Sequence, residues 1–264
     1  MHARHALTYP ICPECLPTQE IEEGQYLLRF ARSDEDLDAV LRLRFEVFNL
    51  ELGEGLDASV ETGRDLDEFD PVCHHLMVSD RDSGEVVGSY RMQTSQMAHK
   101  HLGFYSQTEF DLNTLPSMVI DEAMEIGRAC VAKAHRSTQV LFLLWKGLAL
   151  YVAANQRRFL FGCSSLTSQD PHEGKAFMDY LEERGHCHAE FHVRPRPGFE
   201  CYEEAFERRA DLRVRVPPLF RIYLRHGAKV CGPPAIDRQF KTIDFLVLFD
   251  VEAMDPKMFQ TFFD

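Results

Sequence analysis

Ala123-Met-Glu-Ile-Gly-Arg-Ala-Cys-Val131, continued through Ala134-His-Arg136 into the apolar run Thr138 to Ala154, is the stretch on which the fold turns. Small and apolar residues ahead of a long segment with helical period predict a buried strand feeding a helix. Two charges interrupt that strand. Glu125 and Arg128 each need a partner, because an unpaired buried carboxylate or guanidinium costs several kcal/mol. In a flat strand, residues three apart face opposite sides, but Gly127 lies between these two, and an interior glycine marks a bulge that re-aims a side chain. A bulge here turns both charges into one cleft. The alternative is a structural ion pair that ties the strand to a neighbouring helix.

The rest of the composition bounds what such a cleft serves. A chain of 264 residues, 45% hydrophobic and 27% charged, makes one large domain or two small ones with a substantial core. Its formal net charge of -13 argues against a nucleic-acid partner, so any anionic partner needs a local basic patch. Eight cysteines without a secretory signal fit reduced thiols, so a cytoplasmic protein without structural disulfides is expected. The most apolar run, Val140 to Trp145 and Gly147 to Ala154, is broken by Lys146 and is shorter than the roughly 20 residues that span a bilayer. It is a core helix.

Upstream, Pro10, Pro13 and Pro17 break periodicity, so residues 1–24 are expected as an arm ahead of a single domain over 25–264. Cys12-Pro-Glu-Cys15 has the spacing of half a zinc site, completed only if His2, His5, Cys187 or His188 joins it; the expectation is no metal. Tyr26 to Arg32 predicts a strand, and Ser33-Asp-Glu-Asp36 opens a helix running to about Leu52. On that helix Leu37, Val40, Leu41, Val47 and Phe48 form one stripe with Arg44 near its centre, while Arg42 falls on the opposite side. Arg42 is therefore solvated and Arg44 buried. A buried arginine demands carboxylates, and Asp65-Leu-Asp67-Glu-Phe-Asp70 follows with an aromatic anchor in its middle.

His74 to Asp80 and Val86 to Thr94 predict a hairpin joined by Arg81-Asp-Ser-Gly84-Glu, and Val87, Ser89, Arg91 and Gln93 share a face of its second strand. Beyond the central strand and helix come a strand at Arg158 to Ser165, a helix at Glu173 to Arg184, a helix at Pro218 to His226 and a strand at Thr242 to Asp250. The order is that of an α+β domain around a central mixed, mostly antiparallel sheet. No nucleophile-elbow pattern accompanies Ser164 and Ser165, which read as strand residues.

Arg44-Phe-Glu-Val-Phe48, Asp65-Leu-Asp67-Glu-Phe-Asp70, Gly88-Ser-Tyr-Arg91 and Glu125-Ile-Gly-Arg128 resemble the motif series of the acyl-homoserine lactone (autoinducer) synthases, which are GNAT-like N-acyltransferases. A closer resemblance is to the hemolysin-like bacterial N-acyltransferases of ornithine lipid synthesis. It adds Phe104-Tyr-Ser106, Glu109-Phe-Asp111, Phe161-Gly-Cys-Ser-Ser165, Pro217-Pro-Leu219, Tyr223-Leu-Arg225, Gly227-Ala228 and Asp237-Arg-Gln-Phe240, and spans roughly Tyr26 to Asp250. It implies a GNAT-like fold and transfer of a long-chain acyl group to the α-amine of an amino acid, ornithine first, glycine or another small amino acid next. The alternatives are a synthase that acylates S-adenosylmethionine and a non-catalytic acyl or lipid binder.

Acyl transfer needs an amine aimed at a thioester carbonyl, donors for the oxyanion and a route for the proton. Under the resemblance Glu125 is the expected catalytic base beside Arg128, the backbone of its strand lines the thioester site, and Arg44, Arg91, Asp65, Asp67 and Asp70 are expected to bind and orient the amino acid. Where GNAT acetyltransferases place a glycine-rich pyrophosphate loop, this chain has Arg136-Ser-Thr-Gln-Val-Leu141. That favours an acyl-phosphopantetheine donor on acyl carrier protein, with no bound cofactor.

Arg208, Arg209, Arg213, Arg215, Arg221 and Arg225 stand against only Asp211, a basic segment in an acidic protein. Arg208, Arg209 and Arg213, with help from Arg157 and Arg158, are expected to dock acyl carrier protein or to hold the enzyme peripherally at the inner membrane. The alternative is a solvated face.

Overall fold

The predicted strand at the centre of the sequence is β5 (Ala123–Val131), and the molecule is built outward from it in a computed structural model that describes residues 8–263. Eight further strands complete one sheet: β1 (Ile21–Glu23), β2 (Tyr26–Phe30), β3 (His74–Asp80), β4 (Val86–Thr94), β6 (Phe159–Leu166), β7 (Lys229–Val230), β8 (Ala235–Asp237) and β9 (Thr242–Asp250). Their order is β1-β2-β3-β4-β5-β6-β9-β7, with β8 also on β9. The helices are α1 (Asp34–Arg44), α2 (Ser59–Thr62), α3 (Ser95–Lys100), α4 (Ser117–Asp121), α5 (Thr138–Asn155), α6 (Pro171–Glu183), α7 (Pro218–Arg225) and α8 (Pro256–Phe263).

Local chemistry explains the two principal helices. Ser33 accepts the Asp36 N–H at 3.2 Å, and Asp34, Glu35 and Asp36 lie in the first turn of α1, where the helix dipole favours negative charge. Beyond Arg44 the helix widens into a π-type segment, Phe45–Leu52, and stops at Gly53, whose φ is 70°. Ser137 caps α5 through the Val140 N–H at 3.4 Å. Gly147 lets this helix close onto the sheet: a Cβ there would come within 2.9 Å of Leu28 and Leu76 atoms. On β3, Leu76 and Val78 pack with α5 while Met77 packs under α1, so the alternation of a strand puts the two helices on opposite faces. α6 and α7 join the α5 face through Phe177, Phe220 and Leu224.

Every strand pair is antiparallel except β5 and β6, and that pair is short. It joins Ala123 to Phe159, Met124 to Leu160 and Glu125 to Phe161, and then the strands diverge. The divergence starts at Gly162, where a Cβ would lie 2.0 Å from the Ile126 carbonyl oxygen. Beyond this fork β5 is bonded only to β4 and β6 only to β9, so backbone groups of both strands face a cleft in the middle of the sheet.

The segment expected as an arm packs on the domain over residues 8–24. Tyr9, Ile11 and Leu16 are buried, β1 extends the sheet, and the Ile11 carbonyl bonds the His74 ring at 2.7 Å. Prolines break helix and strand in this segment, but its apolar side chains still find the core. The last residues carry α8, whose Phe262 packs on Phe142 and Trp145 of α5. Among the described residues no helix is long and apolar enough to cross a membrane.

Candidate functional site

On the α1 face of the sheet, Arg44, Arg91 and Arg128 converge from α1, β4 and β5 onto Asp65, Asp67 and Asp70 of one loop. Arg44 donates from Nε to Asp65 Oδ2 at 2.7 Å and from Nη1 to Asp70 Oδ1 at 2.6 Å. Arg91 Nη1 reaches Asp67 at 2.6 Å and Asp70 at 3.0 Å, and Arg128 Nη2 reaches Asp67 at 3.0 Å. His75 donates from Nε2 to Asp70 at 3.2 Å and accepts the Tyr9 hydroxyl at Nδ1, the arrangement that an acceptor-only carboxylate imposes. Burial alone would raise the Asp70 carboxyl, but the Arg44 and Arg91 guanidiniums overcome it and hold Asp70 well below the usual carboxylate range. Asp67 is lowered in the same way, against its burial, by Arg91 and Arg128.

This geometry divides the expected substrate residues. Arg44, Asp65 and Asp70 have fully buried side chains and form the wall of the site rather than its surface. Arg91, Asp67 and Arg128 retain 5%, 12% and 9% side-chain exposure and are the members of the network that a substrate can touch. Arg128 has φ 48°, in the left-handed region that costs a non-glycine residue about 1–3 kcal/mol. Here is the bulge the sequence predicts, one residue beyond Gly127: Ser89 pairs with Cys130 and Arg91 with Gly127, leaving Arg128 and Ala129 opposite Tyr90. The guanidinium is clamped between the rings of Tyr105 and Phe240, at 4.8 and 4.2 Å, and its Nε is buried with no acceptor.

Glu125 does something different from what the sequence suggests. Its Oε1 accepts the Ser106 N–H at 2.7 Å and the Ser106 hydroxyl at 2.6 Å. Its Oε2 accepts the Tyr105 N–H at 2.8 Å and Gln93 Nε2 at 2.7 Å. Four donors fill a carboxylate's acceptor capacity, so Glu125 holds the turn Tyr105–Thr108 against the sheet and has no lone pair left for an amine proton. It lines the same cavity as Arg128, but where the sequence reading expects a catalytic base the structure has a carboxylate whose four bonds secure the turn, while the bulge turns Arg128 towards the acidic loop. Tyr105, Ser106 and Gln93, which complete this constellation, carry no role in the sequence reading; an Asx- or helix-cap-like signal is missing because the contacts span 19 to 32 residues.

The cleft opens into a cavity of about 660 Å³, within the range of about 300–1,000 Å³ usual for small-molecule sites. Its deep wall is apolar, with Leu144, Leu148, Ile222, Phe249 and Phe262 among the lining side chains. Its mouth carries Arg91, Arg128, Glu54 and Asp244. Glu54 accepts the Thr167 hydroxyl, and burial raises its carboxyl.

Two peripheral groups singled out in the sequence lie as follows. Arg208 is paired with Asp179 at 2.8 Å and Arg209 with Asp170 at 2.6 Å, while Arg158 is paired with Asp250 and Arg157 is bonded to the Asp121 carbonyl. Arg213 and Arg215 are exposed on the irregular stretch that leads into α7. Cys12 and Cys15 sit in one tight turn, with Cys15 N–H on the Cys12 carbonyl. Among the described residues the one group of three potential metal ligands is Glu109, Cys163 and Asp244, and it does not include them; His2 and His5 lie outside the described residues.

Three variants check the roles assigned here. Arg44→Ala strands two buried carboxylates and should cost roughly 3–5 kcal/mol of stability by chemical denaturation. Because the folded-state values of Asp70 and Asp67 are depressed, their stabilisation is present above the ordinary aspartate range and is lost as pH falls through the lowered values. Asp70→Asn should therefore flatten the acid limb of the stability profile, and an unaltered limb would remove the network from that role. Glu125→Gln puts an amide donor against four donors, so melting temperature and turnover should fall together. Turnover lost with an unchanged melting temperature would return Glu125 to a chemical role.

The comparisons with known proteins agree with this architecture. Residues 43–146 match the acetyltransferase (GNAT) domain family. The L-ornithine N(alpha)-acyltransferase of Rhodobacter capsulatus is 36% identical over 244 residues, covering 88% of this chain and 92% of its own. That of Brucella abortus is 31% identical over 251 residues, covering 89% and 87%. The crystal structure of the AHL synthase LasI superposes with a TM-score of 0.47 at 13% identity, over 86% of this chain and 91% of that one. Identity of 30% or more over nearly the whole of both chains is a relationship of family, and the chain is an N-acyltransferase that belongs to the family of the L-ornithine N(alpha)-acyltransferases.

Proposed function

We propose that this enzyme moves a long-chain fatty acyl group from the phosphopantetheine thioester of acyl carrier protein to the α-amine of ornithine, on the cytoplasmic side of the inner membrane where a lipid product would be delivered. The observation that carries the reading is the fork between β5 and β6, which joins an apolar cavity to a charged mouth. The acyl chain lies in the apolar part. The thioester carbonyl sits at the fork, where backbone N–H groups that lack a neighbouring strand donate to its oxygen as the amine attacks. Arg128 and Arg91 hold the α-carboxylate at the mouth, and Asp67 keeps both guanidiniums in place. With Glu125 saturated, the amine proton goes to Glu54, a cavity carboxyl whose raised pKa makes it a better acceptor than Asp67.

Several features favour the carrier protein over coenzyme A. Ser137 at the start of α5 is spent as a cap, and Arg136 is held by Glu51 through two bonds of 2.7 Å, so neither is free for a pyrophosphate. Arg213 and Arg215 are exposed beside α7, several of whose residues line the cavity, and they offer positive potential to an acidic carrier near the channel.

Purified protein given long-chain acyl carrier protein, an amino-acid mixture and S-adenosylmethionine should yield N-acylornithine by mass spectrometry. Acylation of S-adenosylmethionine alone, or equal rates with acyl-coenzyme A, would sink the respective part of the reading. Reversing Arg213 and Arg215 to Glu should raise the KM for the carrier and leave that for ornithine nearly unchanged. Separately, Glu54→Gln should abolish the acid limb of the pH dependence of kcat/KM; a persistent limb would assign the proton to another group.

A further inference from the structure

Beside the mouth lies a second cluster of acids that the acyl-transfer chemistry does not use. Glu109, at the end of the turn held by Glu125, is 1% exposed, and its two carboxyl oxygens have no donor other than a proton shared with the adjacent Asp244 carboxyl. Asp244 on β9 is 3% exposed, lines the cavity, and has Oδ1 without a donor. One oxygen of each, together with Cys163 Sγ, lies within 4.8 Å of the others. Asp237 stands close by, with Tyr105 O–H donating to it at 3.3 Å. Leaving buried carboxylates without donors costs far more than replacing them by apolar groups of the same shape, so a pair kept in this state is matched to something that supplies positive charge.

We propose that Glu109 and Asp244 form the subsite for the side-chain ammonium of the amino acid, so that the enzyme selects a basic diamino acid over neutral ones. The proposal rests on the acceptor being an amino acid. The under-satisfied groups on the two sides of Tyr105 are of opposite sign: Arg128 Nε has no hydrogen-bond acceptor and only the Asp65 carboxylate at 3.6 Å, and Glu109 has no donor from a neighbouring N–H or hydroxyl. A diamino acid carries the two complements, a carboxylate for Arg128 and a distal ammonium for the acids, with the α-amine left between them to face the fork. Tyr105 is shared by both ends, since its ring covers the Arg128 guanidinium and its hydroxyl bonds Asp237.

The acid pair has its own protonation. Burial and then the neighbouring Asp244 and Asp237 charges push the Glu109 carboxyl well above its usual range, and Asp244 is raised chiefly by burial. Two carboxyls this close and this buried favour a shared proton, which an ammonium bound between them would displace. The sign follows: a raised carboxyl contributes stability below its ordinary range, and that stability is lost as pH rises through the folded value. Glu109→Gln keeps the shape and cannot ionise, so the variant is expected to fold and to hold its melting temperature better than the native protein at alkaline pH.

The test uses the full chain without acyl donor, with thermal shift and calorimetry against L-ornithine, L-norvaline, butylammonium and, separately, zinc and magnesium ions. Native protein should be stabilised by ornithine and not by norvaline, and ornithine binding should release protons. Glu109→Gln and Asp244→Asn should each weaken ornithine binding at least tenfold and reduce the ornithine to norvaline ratio of kcat/KM by a similar factor. Unchanged ornithine affinity in both variants would overturn the subsite, as would strong stabilisation by a metal ion with none by ornithine or butylammonium. Ornithine binding that depends on Glu109 in a protein that acylates no amino acid would leave the subsite standing and remove the transfer reading instead. Acylation of ornithine by both variants with native KM would do the reverse.

Discussion

Three guanidiniums and three carboxylates, buried together, hold the working face of this protein in place. Arg44, together with the Asp65 N–H on the Leu41 carbonyl, fixes α1 to the acidic loop, Arg91 fixes that loop to β4, and Arg128 fixes it to β5. The charges cancel within the cluster, so a fully buried arginine is tolerated at a position where an unpaired one would be costly. The tie also maintains strain. The left-handed backbone at Arg128 persists because its guanidinium is bonded to Asp67 and clamped between two aromatic rings. In consequence, the bulge that aims Arg128 at the cavity mouth depends on residues some 60 positions earlier in the chain.

The second dependence is between a glycine and a carboxylate at the same fork. Gly162 admits the Ile126 carbonyl into space a side chain would occupy, and the strands part at that point. Glu125, the last paired residue of β5 before the divergence, lines the cavity and gathers the turn that carries Tyr105 and Ser106. That turn brings Tyr105 between Arg128 and Asp237, and brings Glu109 to Asp244. A single buried carboxylate thus positions aromatic and acidic groups on both sides of the cavity mouth. Saturation by four donors suits a positioning residue, because a group that must take up a proton cannot keep every lone pair occupied.

Much of this was legible in the residues. β3, β4, β5 and β9 follow from strand-type runs bounded by turn residues, and α5 from its apolar run of helical period. The burial of Arg44 and the solvation of Arg42 follow from their angles on one helix, and the burial of Arg44 in turn demands the acidic loop. These are local patterns or charge balances, which a sequence states directly. Short elements such as β1, β7 and β8 escape because two or three residues carry no period. The packing of residues 8–24 escapes because prolines disrupt secondary structure without preventing burial of Tyr9, Ile11 and Leu16.

By itself, then, the sequence determined the α+β order of elements, the buried arginine and its acidic partners, and a bulge next to Gly127. Only the tertiary structure decided which way each charge turns. One residue of register separates Glu125 facing Arg128 from Glu125 facing Ser106, and register around a bulge is set by the neighbouring strand rather than by the residues on either side. Tertiary contact likewise decided that Arg208 and Arg209 are spent on Asp179 and Asp170 of the acid-rich α6 region. It also brought Glu109 to Asp244, two acids 135 positions apart that nothing in the chain's local pattern connects, because their proximity exists only where the turn beside β6 and the far edge of β9 meet in the folded sheet.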